Sequence, residues 1–192
     1  MAITTRAGKG DLLTHQEVDT NFTELDTRVD TLESAGGGSL FFIAEDQKGI
    51  SNQGGTAPDT QPNSFIRELN TVTRNDISGA SLLSNVITLP AGDYKVFAKV
   101  KNERVDAVKM WLSNEDLASH IIDSLDGYVS SSVSAVSVDQ SIEGVFTLAS
   151  STNVALRQVL LSATTNVSLG RNAGLAGPAY SLYAKIIIEK IS

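Results

Sequence analysis

Apolar residues recur along this chain with two different periods, and the change of period divides it. Between Thr14 and Leu32, the residues Val18, Phe22, Leu25, Val29 and Leu32 stand four, three, four and three positions apart. That is the a/d stripe of a helix that meets copies of itself. Thr14 and Glu17 form an S/T-x-x-E capping box at its start, and Gly36, Gly37 and Gly38 end it. Arg28 is placed to reach Glu33 of a neighbouring chain as a g to e′ pair. The alternative is an amphipathic helix lying on its own domain, but this stripe is narrower than such a helix needs. At about 1.5 Å per residue the segment is a short neck. Most of the association must then come from elsewhere.

After the glycines the period falls to two. Leu40–Ala44 reads as a strand, followed by a polar loop from Glu45 to Asn63. Strand patterns then recur at 64–69, 82–102, 107–113, through a serine-rich run to Val138, and at 142–148, 153–161 and 180–191. The stretch 114–122 fits either helix or strand. Many strands without helical crossovers predict a mainly β, antiparallel jelly-roll sandwich. Several strands are apolar on both faces: Phe97 lies opposite the Tyr94, Val96, Ala98, Val100 set, Tyr183 and Ile187 oppose Leu182, Ala184, Ile186 and Ile188, and Val159 and Leu161 oppose Leu156 and Leu160. The strand at 142–148 and the serine-rich run keep a polar outer face. One sheet is therefore expected to be covered on both faces, its second cover supplied by another subunit. Phe97, Val159, Leu161, Tyr183 and Ile187 are the expected contacts of a homotrimer. Scattered surface hydrophobes are the plainer account of the same residues.

Composition narrows the chemistry. The 192 residues are 41% hydrophobic and 19% charged with net charge -7, enough for one core plus an appendage. No basic patch stands out for a nucleic-acid partner. Cysteine is absent, which excludes disulfides, thiolate nucleophiles and cysteine-ligated metals. No apolar run predicts a signal segment or membrane insertion. The expected organisation is an arm (1–12), a coiled-coil neck (13–35), a glycine linker (36–39) and a β head (40–192).

Two stretches resemble known proteins. Ile3-Thr4-Thr5-Arg6, Gly8-Lys9-Gly10 and Leu13 through Phe22 resemble an N-terminal motif of bacteriophage tail-fibre and related virion proteins. Arg67–Thr71, Ile87–Tyr94, Val105–Asn114 and Tyr183–Lys190 resemble the trimeric head of such fibres, which shares the jelly-roll fold of the C1q and tumour necrosis factor families. The resemblance implies a homotrimeric virion appendage assembled in the host cytoplasm. Its arm, through Ile3, Arg6, Lys9 and Leu12, would attach to tail or capsid proteins, and its head would bind a host-surface glycan or protein. A capsid fibre or decoration protein, and a cellular C1q-like ligand, are the alternatives.

Catalysis has weaker support. Glycan cleavage needs two carboxylates held roughly 5–10 Å apart; Glu115, Asp116, Asp123, Asp126, Asp139 and Glu143 are available, but no spacing selects a pair. His120 has Ser119 beside it and Asp123 three residues on, without a nucleophile elbow. His15 falls in the first turn of the coil. The expectation is a protein that is no enzyme and carries no cofactor or metal. For recognition, the turns at 101–106, 149–153 and 170–179 are expected at a far tip, offering Lys101, Asn102, Arg104, Asn153, Arg171 and Asn172.

Overall fold

The computed structural model describes all residues except 1, 2, 4, 6–8, 36–38, 115–119, 131, 133–135, 173–179 and 192, and omits the side chains of 31–35 and 129. The chain forms two units, 1–38 and 39–192.

In the first unit, helix α1 spans His15–Ala35. Its capping box forms in both directions: the Thr14 amide donates to Glu17 Oε2 at 2.8 Å and the Glu17 amide to Thr14 Oγ1 at 3.2 Å. Lys9 reaches the same carboxylate at 2.5 Å. The hydrogen bonds from Lys9 and Thr14 hold Glu17 at about 2, well below an ordinary carboxylate.

The second unit is a sandwich of two antiparallel sheets. Strands β1 (Leu40–Gly49), β3 (Thr71–Asn75), β6 (Gly92–Glu103), β10 (Ser137–Leu148) and β12 (Tyr180–Lys190) make one, in the order β10-β6-β12-β1-β3. The other contains β4 (Ser81–Leu83), β5 (Val86–Leu89), β11 (Thr152–Leu160), β7 (Asp106–Asn114) and β8 (His120–Asp123) in that order, with β2 (Phe65–Ile66) on β11 and β9 (Gly127–Val129) on β7. Ser84 and Asn85 both take positive φ, as a two-residue hairpin with the strand twist requires. Between the sheets, Phe42, Ala44, Tyr94, Val96, Ala98, Ile186 and Ile188 meet Ile87, Leu89, Met110, Leu112 and Leu156. Tyr94 and Phe146 stack at 5.4 Å.

Two departures from the sequence pattern matter. Glu45–Gly49 continues β1 rather than beginning the polar loop, and β3 had no clear alternation of its own. Strand β10, with its polar outer face, pairs with β6, so strands covered on one face and on both share a sheet. Strand order decides this, and alternation within single strands cannot supply it.

A charged group is buried at the edge of the core. Arg67 and Asp46 are both fully buried, and the Arg67 Nη2 donates to the carbonyls of Leu169 at 2.7 Å and Tyr183 at 3.2 Å. Asp46 Oδ2 lies 3.7 Å from that nitrogen, while Asp46 Oδ1 meets Lys48 at 3.1 Å. Burial pushes the Arg67 guanidinium down to about 10, against the pull of Asp46 and Glu68. Burial also raises the Asp46 carboxyl, against Arg67 and Lys48.

Candidate interaction face

The outward face of the five-stranded sheet is built by register. Phe97 on β6 stands directly beside Ile187 on β12, and Ile187 beside Ile43 on β1. Side chains directly opposite across antiparallel strands share a face, so the three form one apolar row. Glu143 and Arg74 terminate it. Phe97 is 40% exposed. On either side run charged rows: Lys95 with Glu189, and Lys99 with Lys185 and Glu45. Lys95 reaches Glu143 at 3.6 Å, Lys99 reaches Asp139 at 2.7 Å and Lys185 reaches Glu45 at 2.9 Å. A shallow cleft of about 170 Å³ lies beside Phe97, between Lys99, Lys101, Leu182 and Lys185.

The structure does not gather all five expected head contacts here. Phe97 and Ile187 are neighbours, but Tyr183 is 1% exposed and its hydroxyl donates to the Asn52 carbonyl at 2.6 Å. Its own chain covers it, and Gly170 packs so closely that a Cβ there would stand 2.7 Å from the Tyr183 ring. Val159 on β11 and Leu161 just past its end lie at the other sheet, where they line a separate cleft of about 230 Å³ with Gln61, Lys109 and Asp126. Alternation showed that these residues oppose a core without showing which sheet carries them.

The expected tip also divides. β6 ends beside the start of β10, at Glu103 and Ser137, while Leu148 at the other end of β10 pairs with Gly92. The turn after β10 is therefore at the end where β1 begins and β12 stops, and Asn153 lies there, accepting from Thr88 Oγ1 at 2.8 Å. Lys101, Asn102, Arg104, Arg171 and Asn172 are at the opposite end. The turns at 149–153 and 170–179 flank the single strand β11, so they fall at opposite ends of it. Asn102 is buried and accepts from Gln158 Nε2 at 2.6 Å across the two sheets. Arg171 pairs with Glu103 at 2.7 Å, and Asn172 Nδ2 donates to the Ile50 carbonyl. Asn102 ties the two sheets together, and Arg171 and Asn172 hold their loop to the strand and loop beside it. Lys101 is exposed, and Arg104 is half-exposed at φ 55°.

On α1, Phe22, Leu25 and Val29 are 66%, 48% and 41% exposed, an unpartnered stripe on the first unit. Val18 is half-buried, and the Leu32 side chain lies outside the described residues. In the arm, Ile3 and Leu12 are exposed and Lys9 is tied to Glu17; Arg6 lies outside the described residues.

Of the candidate catalytic groups, Asp139 and Glu143 pair with lysines. His120 stacks on Trp111 at 5.0 Å, with its Nδ1 2.9 Å from Asp123. Ser119, Glu115 and Asp116 lie outside the described residues. Among the described residues no group of three or more histidine or carboxylate side chains could hold a metal, and no helix is long and apolar enough to cross a membrane.

No family model matches the chain, and no curated protein does. Solved structures do. A crystal structure of murine APRIL at pH 5.0 has a TM-score of 0.50 at 9% identity, covering 80% of this chain and 99% of that one. The globular domain of zebrafish complement 1qA protein has a TM-score of 0.50 at 13% identity, covering 81% and 98%. The likeness is one of fold: the second unit is an antiparallel sandwich of the C1q and tumour necrosis factor type.

Proposed function

We propose that this chain is a non-enzymatic binding protein that works as a homotrimer, with the 39–192 unit as a C1q-like ligand head. The observation that carries this is the Phe97, Ile187, Ile43 row. Apolar side chains lined up across three central strands are stabilising when a second copy covers them, at about 1.5–3 kcal/mol for each large side chain fully removed from water. Lys95, Lys99 and Lys185 beside it already have carboxylate partners, so covering the row strands little charge. The exposed stripe of α1 supports the same state, as a neck whose copies pack together. The fold shared with murine APRIL and the zebrafish complement domain supports a ligand-type head by analogy of fold.

A second reading rests on a different observation. The N-terminal motif from Ile3 to Phe22 resembles that of virion fibres, and it supports a phage appendage whose arm docks on the particle and whose head meets a host surface. Both readings share the trimer. They part over the arm: deletion of residues 1–12 abolishes incorporation into particles in the virion reading and changes nothing in the other.

Light scattering tests the trimer. The expected particle is three copies of the 20.3 kDa chain, about 61 kDa. Phe97→Asp combined with Ile187→Asp is expected to give a folded monomer with its β circular dichroism intact. A monomeric wild-type protein at micromolar concentration would refute the proposal.

A further inference from the structure

The outward face of the seven-stranded sheet carries a second, differently built cleft. Leu160 pairs with Val108, and the Leu161 amide donates to the Ala107 carbonyl. On the other side of β7, Tyr128 pairs with Ala107. Leu161, Ala107 and Tyr128 therefore share one row on the outward side, with Leu161 53% and Tyr128 71% exposed. The next positions bring Lys109 and Asp126 to the same cleft, and Gln61, fixed by its amide donating to the Leu160 carbonyl at 2.8 Å, closes its rim.

The charges decide what fits. Lys109 and Asp126 line one cleft, and among the described residues neither has an ion pair, with the other or with a third residue. An anion would suit the lysine and meet the carboxylate; a cation would do the reverse. A wholly apolar ligand would take water from both charges and return nothing. A neutral ring bearing vicinal hydroxyls, each a donor and an acceptor, satisfies an ammonium and a carboxylate together. Its apolar face would lie on Leu161 and Val159, with Tyr128 flanking the cleft beside Ala107. At about 230 Å³ the cleft is smaller than the roughly 300–1,000 Å³ of drug-sized sites, which limits the occupant to about one ring.

We propose that this cleft is a carbohydrate subsite taking a single pyranose, with Asp126 accepting from and Lys109 donating to neighbouring hydroxyls. The proposal rests on reading the chain as a binding protein, and it places recognition on this face rather than on the expected tip turns.

The test is saturation-transfer NMR on the full chain with methyl glycosides of glucose, galactose, mannose and N-acetylglucosamine, with glycine as a zwitterionic probe. At least one glycoside is expected to receive transfer with millimolar affinity. Asp126→Asn and Tyr128→Ala are each expected to weaken it about tenfold or more, while Leu83→Ala, exposed at the end of β4, leaves it unchanged. No transfer to any glycoside would overturn the proposal, as would transfer to glycine alone or binding indifferent to both variants. Light scattering on the same samples keeps the two proposals apart. A monomer that binds sugar refutes only the trimer, and a trimer that binds none refutes only the subsite.

Discussion

Replacing Arg67 with methionine keeps a long side chain in the site and removes its charge. Three contacts are lost: the hydrogen bonds to the Leu169 and Tyr183 carbonyls and the approach to Asp46. Bonds from a charged donor contribute about 1.5–3 kcal/mol each. Against that, the buried guanidinium carries its own desolvation cost, and its Nε and Nη1 have no hydrogen-bond partner among the described residues. Breaking a buried pair by removing one partner costs about 3–5 kcal/mol. We expect Arg67→Met to fall near the lower end, about 3 kcal/mol, because Lys48 still reaches Asp46 at 3.1 Å. Trp111 is the sole tryptophan and is 6% exposed, so its fluorescence reports urea unfolding at a fixed protein concentration. Adding Asp46→Asn to Arg67→Met should be neutral or stabilising, since it removes a carboxylate left short of partners. A loss below about 1 kcal/mol for Arg67→Met, or strict additivity of the two changes, would refute the reasoning.

Four further outcomes are expected. Burial raises the Asp46 carboxyl, so the folded state takes up its proton at higher pH than the unfolded chain, and charging it costs stability as pH rises above the ordinary 3.8. The stability of Asp46→Asn relative to wild type should accordingly improve in urea titrations as pH rises above 3.8. Glu17 runs the other way: its helix-start contribution is full above 4.5 and fades as pH falls toward about 2, which Thr14→Ala should reproduce at neutral pH as reduced helical circular dichroism in a 1–38 peptide compared with its parent. Gly54→Ala should destabilise by about 1–3 kcal/mol, measured by thermal melt, because its Cβ would stand 2.3 Å from the Leu169 carbonyl oxygen. Phe22→Asp should leave the mass of the head assembly unchanged by light scattering while lowering helix content.

The β class, the helix with its cap and the outward side of Phe97 and of Ile187 were legible because each is a local pattern: a period, a motif, an apolar residue on the wrong face. What stayed hidden depends on partners distant in sequence. Glu45 and Asp46 look like loop residues, yet Lys185 at 2.9 Å and the buried Arg67 allow them to continue a strand. Tyr183 obeys the alternation of Ile187, but loops around Asn52 and Gly170 close over it. Leu161 and Asp126 were each singled out, one as an interface residue and the other as a carboxylate. Only the pairing of β11, β7 and β9 puts them in one cleft.

The two outward faces treat charge in opposite ways, and this is the reason for assigning them different tasks. Around the Phe97 row, Lys95, Lys99 and Lys185 each hold a carboxylate of their own chain. A protein surface laid over that row removes apolar area from water without leaving a lone ion behind, and depletion of unpaired charge is what distinguishes the centre of an interface. On the second face, Lys109 and Asp126 have no ion pair among the described residues. Burying Lys109 and Asp126 under another protein would need two matched partners with good geometry, whereas a small hydroxylated ligand supplies both at once and leaves the rim wet. Association on the first face would therefore keep the second open to solvent, and three copies would present three clefts. Sugars displayed on a surface would then be held by avidity that one millimolar subsite cannot provide. If so, the double change Phe97→Asp and Ile187→Asp should leave the affinity for a free methyl glycoside intact while greatly reducing retention on an immobilised glycan; equal retention of monomer and trimer would separate recognition from assembly.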